Sequence, residues 1–349
     1  MSTTSPHTLS RKLLKWFGAH ARQDLPWRSA PCGERDPYMV WLAEIMLQQT
    51  TCAAVIPYFE NFTRKWPTVK ALAKADTDEV MHAWAGLGYY ARARNMVKCA
   101  KDVAEQRQGQ FPRAEEDLIE LPGIGPYTAA AIAAIAFNGP SAPVDGNVIR
   151  VLTRLYAISD VMPANKAVVG EFAKAMLPKE HSGDFAEALM DLGATVCKPK
   201  NPKCKDCPWE ADCMACIQDE ATTYPKKAPK VEKPTRHGWV FWIENTEGRV
   251  LLERRPEKGL LGGMIGFPGT LWQDQVLSAE QAARQAPELG DWKRSEAQIS
   301  HTFTHFHLRL NVLVFHLDKD WDGLWSRPSD FGTHALPSVM QKIVEAMKP

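Results

Sequence analysis

Several features are scarce in this chain of 349 residues. The longest apolar stretches, such as Ala129 to Phe137, fall well short of the roughly 20 residues that a bilayer-crossing helix needs, so no membrane span is expected. Met1 to Leu14 lacks the apolar core of a secretory signal, and a cytoplasmic protein is the expectation. Surplus charge is missing as well. With 42 basic and 41 acidic residues the net charge is +1, and bulk electrostatics announce neither a nucleic acid nor a membrane surface. Residues 1–224 hold 25 basic and 26 acidic side chains, so the first part of the chain is not basic either. Any polyanion must be held by individually placed groups. An apolar content of 45% with 24% charged residues excludes disordered, collagenous and coiled-coil chains, and the length suits two domains with a core each.

Cysteine is present, but its distribution argues against a disulfide scaffold, which belongs to small secreted chains. Cys32, Cys52 and Cys99 stand singly, whereas Cys197, Cys204, Cys207, Cys213 and Cys216 crowd together. In a reducing compartment such crowding reads as a metal site. Four thiolates suit either a [4Fe–4S] cluster or zinc. Spacing leaves the choice open, because Cys204-x2-Cys207 with Cys213-x2-Cys216 would make a closed zinc site without Cys197. Lys198, Lys200, Lys203 and Lys205 lie between the first three cysteines, and a pinned loop would hold them out toward phosphates.

From Leu9 to about Cys216 the apolar spacing is helical, most clearly in windows 38–49, 70–85, 91–106 and 147–157. The Pro- and Lys-rich stretch 221–236 has no apolar period and reads as a linker. It separates an all-α domain, 1–220, from an α+β domain, 237–349. In the latter, Trp239 to Ile243 and Arg249 to Leu252 are β-prone runs joined by a hairpin loop at 244–248. Phe306, Leu308, Leu310, Val312 and Val314 alternate with polar residues as one strand with a single apolar face.

Four local patterns carry chemistry. Leu121-Pro-Gly-Ile-Gly-Pro-Tyr127 lies between two helical patterns, so Gly123 and Gly125 form a helix-hairpin-helix turn with backbone N–H groups facing an anion. Glu44 is the only charge in Met39 to Leu47, a window apolar on every helical face, and its burial would raise its pKa. It is then either a protonated acid fit for proton donation or a structural acid bonded to a neighbouring helix end. Asp145 precedes a helical run, where the commonest role is an N-cap. Gly86-Leu-Gly-Tyr-Tyr90 combines flexible backbone with planar side chains, as a wedge into stacked bases requires, although core packing would suit Tyr90 equally.

Together these residues resemble the adenine DNA glycosylases of the MutY type, within the endonuclease III-like helix-hairpin-helix superfamily. The resemblance rests on Leu25-Pro-Trp-Arg28, Glu44-Ile-Met-Leu-Gln-Gln-Thr50, Gly86-Leu-Gly-Tyr-Tyr90, Leu121 to Gly125 with Val144-Asp-Gly-Asn147, and the cysteine loop. It implies a [4Fe–4S] cluster on Cys197, Cys204, Cys207 and Cys213, with Cys216 a bystander. It further implies excision of adenine mispaired with 8-oxoguanine or guanine in double-stranded DNA, after base flipping, by a monomer of the nucleoid. In that reading Glu44 protonates the adenine at N7 and later activates water. Asp145 stabilises an oxocarbenium-like sugar, and Asn147 and Tyr127 order the site. Trp27, Arg28, Leu47 and Glu187 line the adenine pocket. Gln49 and Tyr89 wedge the duplex, while Gly123, Gly125, Lys198 and Lys200 hold the DNA backbone.

Bifunctional relatives carry a Schiff-base lysine where this chain has Tyr127, and no lysine occurs from Asp102 to Asn165, so a monofunctional glycosylase is implied. The second domain is similar to the family's Nudix-like module, with Phe303, Thr304 and His305 expected at the 8-oxoguanine. It lacks an Arg-Glu-x-x-Glu-Glu helix, and pyrophosphate hydrolysis is not expected. Two other readings stand beside this one. A glycosylase/lyase for oxidised pyrimidines is disfavoured by Tyr127, and a catalytically silent mismatch-binding protein would leave Glu44 and Asp145 as a structural acid and a cap.

Overall fold

Side-chain oxygens start many of the helices. Ser5, Asp36, Thr51, Thr68, Asp76 and Asp145 each accept a backbone N–H at an N-cap and so satisfy donors that the first turn leaves open. The structure, a computed structural model, describes residues 4–28, 35–229, 232–256, 259–318, 322–334 and 336–348. Cys32 and residues 230 and 231 of the expected linker lie outside them. In chain order the helices are α1 (Pro6–His20), α2 (Pro37–Leu47), α3 (Cys52–Lys65), α4 (Val69–Ala73), α5 (Thr77–Ala83), α6 (Ala91–Gln106) and α7 (Glu115–Ile119). They continue with α8 (Pro126–Phe137), α9 (Gly146–Tyr156), α10 (Asn165–Ala175), α11 (Ser182–Thr195) and α12 (Met214–Ile217). The helical window 70–85 is two helices, α4 and α5, because Asp76 caps the second and breaks the run.

Two compact units result: Met1–Ala75 with Asn95–Pro229, and Asp76–Arg94 with Lys230–Pro349. The segment Asp76–Arg94, expected in the glycosylase domain, therefore belongs with the second unit.

The first unit has no strand among its described residues. Its central helix, α8, is buried from Thr128 to Ile135 and packs against α2, α7 and α11. Small alanines let these helices approach closely. Leu9, Leu13 and Phe17 of α1 join Leu152 and Leu155 of α9, Phe185, Leu189 and Leu192 of α11, and Trp209 in one core. Each large side chain buried there contributes roughly 1.5–3 kcal/mol. Trp209 fastens the cysteine loop to this core, and its indole N–H donates to Leu9 O at 2.9 Å.

The second unit is built on a six-stranded sheet of order β3-β2-β1-β5-β4, with β6 (Leu324–Ser326) beside β2. Its other strands are β1 (Thr235–Asn245), β2 (Val250–Arg254), β3 (Ile265–Gly266), β4 (Lys293–Thr302) and β5 (His307–Leu317). The expected hairpin is there, with Glu244 opposite Val250. β1 runs parallel to β5 from the pair Thr235 and His307 to the pair Asn245 and Leu317. Val240 and Trp242 of β1 face the core shared with α14 (Ser338–Ala346), whereas Trp239, Phe241 and Ile243 face Ala282 of α13 (Ala279–Ala283). With both faces covered, β1 reads as a continuous apolar run. On β5, Leu308, Leu310 and Val312 are buried while His307 and Arg309 are exposed, as the period-two pattern requires.

Candidate functional site

Four helices of the first unit bring their chemistry to one cavity of about 430 Å³, within the range of ligand-binding clefts. Trp27, Arg28, Glu44, Leu47, Gln49, Tyr127, Asp145, Asn147 and Glu187 all line it. Glu44, on α2, is only 8% exposed although its side chain is ionisable. The Tyr127 hydroxyl, at the start of α8, donates to Glu44 Oε2 at 3.0 Å. Burial raises the Glu44 carboxyl from its ordinary 4.5 to about 7; the nearby Asp145 carboxylate adds to the rise, and the Tyr127 hydrogen bond and Arg28 oppose it. Burial, with the same two carboxylates, pushes the Tyr127 phenol well above 10, so its proton stays on the donor.

Asp145 is an N-cap and lines the cavity as well. Its Oδ1 accepts from Val148 N at 2.7 Å, and its Oδ2 accepts from Asn147 Nδ2 at 2.8 Å. Both bonds fix the carboxylate against the N-terminus of α9, where the helix dipole favours an anion. Asn147 is positioned in turn by Arg150, which donates to its Oδ1 at 2.7 Å, and by Gly193 of α11. A Cβ at Gly193 would stand 2.6 Å from Asn147 Cβ, so only glycine lets α11 pass this close.

Arg22, Arg28 and Glu187 of the cavity wall belong to a buried charge network that local sequence patterns do not announce. Arg28 bridges Glu187 at 2.8 Å and Asp191 at 3.0 Å. Arg22 reaches Asp191 at 2.6 Å, and Arg35 reaches Asp184 at 2.5 Å and Glu187 at 2.9 Å. Burial disfavours the Arg35 charge, but Glu187 and Asp184 more than offset it and raise its pKa. Truncating one member of such a network leaves a buried charge short of a partner, at a loss of about 3–5 kcal/mol. Lys166, just beyond the lysine-free stretch, also lines the cavity.

Three further groups of sequence-expected residues are placed on this unit. Gly123 has φ +79°, and a Cβ there would meet Asn95 Cβ at 2.6 Å; both facts require glycine in the turn between α7 and α8. Gly125 is the N-cap of α8 without a side-chain cap, which leaves the first N–H groups of that helix to an anion. Gln49 is exposed and sits at φ +58°, a conformation that non-glycine residues rarely hold and that clusters at functional sites. Lys198 and Lys200 are exposed.

Cys197, Cys204, Cys207, Cys213 and Cys216 line one small cavity of about 30 Å³. Among the described residues none is in a disulfide, and no three His, Cys, Asp or Glu side chains converge closely enough to hold a single ion. Burial raises the Cys207 thiol to about 12 and the Cys213 thiol to about 11, so their thiolates need a compensating cation. Arg154, 2% exposed, stitches the loop together: Nη1 approaches Cys197 Sγ at 3.3 Å and donates to Lys198 O at 2.8 Å, and Nη2 donates to Pro199 O at 3.1 Å. No motif in the sequence marks Arg154.

In the second unit, Phe303-Thr304-His305-Phe306 is the turn between β4 and β5, closed by Phe303 N donating to Phe306 O at 2.9 Å. Thr304 and His305 are exposed at its tip, and Phe303 packs on Phe306, His301 and Trp272. His307 lies on the exposed face of β5, its Nδ1 3.0 Å from Thr302 Oγ1. Tyr89 belongs to this unit. Its side chain is 51% exposed, its φ is +48°, and its hydroxyl is 3.0 Å from Thr304 Oγ1. Arg92 Nη2 holds the preceding glycine loop by donating to Leu87 O and Gly88 O at 3.1 Å.

Comparison with known proteins finds one family match in each part of the chain, the first of them running through Asp76–Arg94 as well. Residues 42–176 match the HhH-GPD superfamily of base excision DNA repair proteins, and residues 239–346 match the NUDIX domain. The chain is 31% identical to the adenine DNA glycosylase of Buchnera aphidicola subsp. Schizaphis graminum, over 98% of this chain and 99% of that one. It is 33% identical to the adenine DNA glycosylase of Homo sapiens, over 95% of this chain and 72% of that one. A solved thermostable thymine-DNA glycosylase superposes with a TM-score of 0.55 at 29% identity, covering 61% of this chain and 97% of its own.

Proposed function

The chain belongs to the adenine DNA glycosylases of base excision repair, and we propose that its substrate is adenine mispaired with 8-oxoguanine or guanine in the double-stranded DNA of the nucleoid. The adenosine flips into the cavity shared by Glu44 and Asp145. There the base is bounded by Trp27, Arg28, Leu47 and Glu187. Glu44, protonated near neutral pH, gives its proton to N7, and the electrons of the N9–C1′ bond leave with the purine. The sugar becomes an oxocarbenium-like cation facing the Asp145 carboxylate, which Val148 N and Asn147 hold in place. Glu44, now a carboxylate, takes a proton from the water that attacks C1′. Tyr127 keeps its own proton and orients Glu44, and Asn147 does the same for Asp145.

The observation that carries this reading is Glu44 itself: a buried carboxyl with a pKa near 7 that shares a cavity and an electrostatic interaction with a second acid. Gln49 and Tyr89, each exposed and held at positive φ, are suited to insertion into the duplex. Gly123, Gly125, Lys198 and Lys200 would take the phosphates. Phe303, Thr304 and His305 would read the 8-oxoguanine from the tip of their turn, and the protein would act as a monomer.

Cys197, Cys204, Cys207 and Cys213 would hold a [4Fe–4S] cluster. Thiols that surround a cavity suit a polynuclear centre better than the single tetrahedral shell of zinc. Arg154 supplies a buried positive charge beside Cys197. When bound, the group supplies a rigid pin for the loop that bears Lys198 and Lys200.

Single-turnover assays on duplexes with A opposite 8-oxoguanine, guanine or thymine test the reading. Adenine release is expected from the first two and not the third, leaving an abasic strand that breaks only with alkali. Release from A:T alone, or a borohydride-trapped enzyme–DNA adduct through Lys166, would contradict it.

A further inference from the structure

Five thiols line the loop cavity, one more than a [4Fe–4S] cluster takes. The surplus thiol is not remote. Cys216 sits on α12, whose first turn follows Cys213, and Cys216 N donates to Cys213 O at 3.0 Å. Its side chain lines the same small cavity as that of Cys204. Cys204 is the ligand best placed to be lost, since it lies in a surface turn between exposed Lys203 and Lys205. Cys207, by contrast, packs against the core of the first unit, as do Cys197 and Cys213.

We propose that Cys216 is a stand-in ligand that takes over the iron atom of Cys204 when that thiolate is lost; this rests on the cluster reading above. The two residues line one cavity of about 30 Å³, so the exchange is a change of partner within it and needs no rebuilding of the loop. In the exchange Cys216 gives its proton to solvent as its sulfur bonds iron, and the departing Cys204 thiolate takes up a proton. No electron is transferred and no co-reactant is consumed. Cys197, Cys207 and Cys213 have no such substitute in this scheme.

The test uses the full chain purified without oxygen, with iron and sulfide per chain and the absorbance at about 400 nm as readouts, and circular dichroism and thermal unfolding to follow the fold. Cys204→Ser is expected to keep about half or more of the parent's iron, Cys216→Ser to match the parent, and both Cys204→Ser with Cys216→Ser and Cys207→Ser to fall to roughly a tenth or less. The proposal is overturned if Cys204→Ser is as empty as Cys207→Ser, if the double variant keeps as much iron as Cys204→Ser, or if Cys216→Ser alone empties the loop. A parent protein without iron would overturn the cluster reading itself, and the stand-in role with it, whatever the variants do.

Discussion

The Tyr127 hydroxyl donates to Glu44 Oε2 at 3.0 Å, across 83 residues of chain and between the first turn of α8 and the buried face of α2. In the proposed mechanism this contact tunes the acid. Because the bond stabilises the ionised carboxyl, it holds Glu44 lower than burial alone would.

Tyr127→Phe therefore raises the Glu44 pKa further. Under the proposed mechanism, excision by the parent is expected to fall as pH rises through about 7, where Glu44 loses its proton. In the variant that inflection moves to higher pH, while the plateau rate drops by roughly tenfold or less. An inflection that stays put, or moves toward acid, speaks against Tyr127 as the partner that sets it. The pH profile of single-turnover rates is the measurement.

The same carboxyl shapes stability. Folded Glu44 binds its proton more tightly than the unfolded chain does, so between pH 4.5 and about 7 the folded state holds more protons and stability falls as pH rises. Glu44→Gln removes that loss. Urea unfolding is expected to show the variant equal to the parent near pH 4 and more stable near pH 8, by about 3 kcal/mol at most. A parent that gains stability over the variant as pH rises would contradict the burial of an ionisable Glu44.

Gly193→Ala acts on the second acid from a distance. The new methyl would meet Asn147 Cβ at 2.6 Å, and Asn147 holds Asp145 Oδ2 at 2.8 Å. Excision should slow by about 10- to 100-fold with duplex affinity nearly unchanged, alongside about 1–3 kcal/mol of overpacking. Unaltered rates in a folded variant would show that Asp145 does not depend on Asn147.

Phe303→Ala with His305→Ala flattens the tip of the turn between β4 and β5. Preference for 8-oxoguanine over guanine should fall by about tenfold, roughly 1.4 kcal/mol, with base removal from A:G little affected. Competition binding with the two duplexes measures this, and equal losses on both would argue against lesion reading by the turn.

Much of this architecture was legible in the residues. A single charge inside Met39 to Leu47 announced a buried Glu44, and strict alternation after Phe306 announced β5. The cysteine spacing announced a common centre, and the five thiols do share a cavity. Long-range pairings left no local trace. Arg154 looks like any helical arginine until α9 meets the cysteine loop, and Arg22, Arg28 and Arg35 acquire partners only when α11 arrives some 150 residues later in the chain, as with Arg35 and Asp184 at a separation of 149. The membership of Asp76–Arg94 in the second unit is of the same kind, since Tyr89 finds Thr304 across 215 positions. Periodicity reports which face is buried, not what it will be buried against.

The central claim is that Glu44 supplies the proton that releases adenine. Glu44→Gln keeps the shape of the side chain and removes that proton, so the decisive measurement is its single-turnover excision on A:8-oxoguanine duplex together with its affinity for the same duplex. Excision lost by at least about a thousandfold with binding retained is the predicted result. Excision within about tenfold of the parent would contradict it.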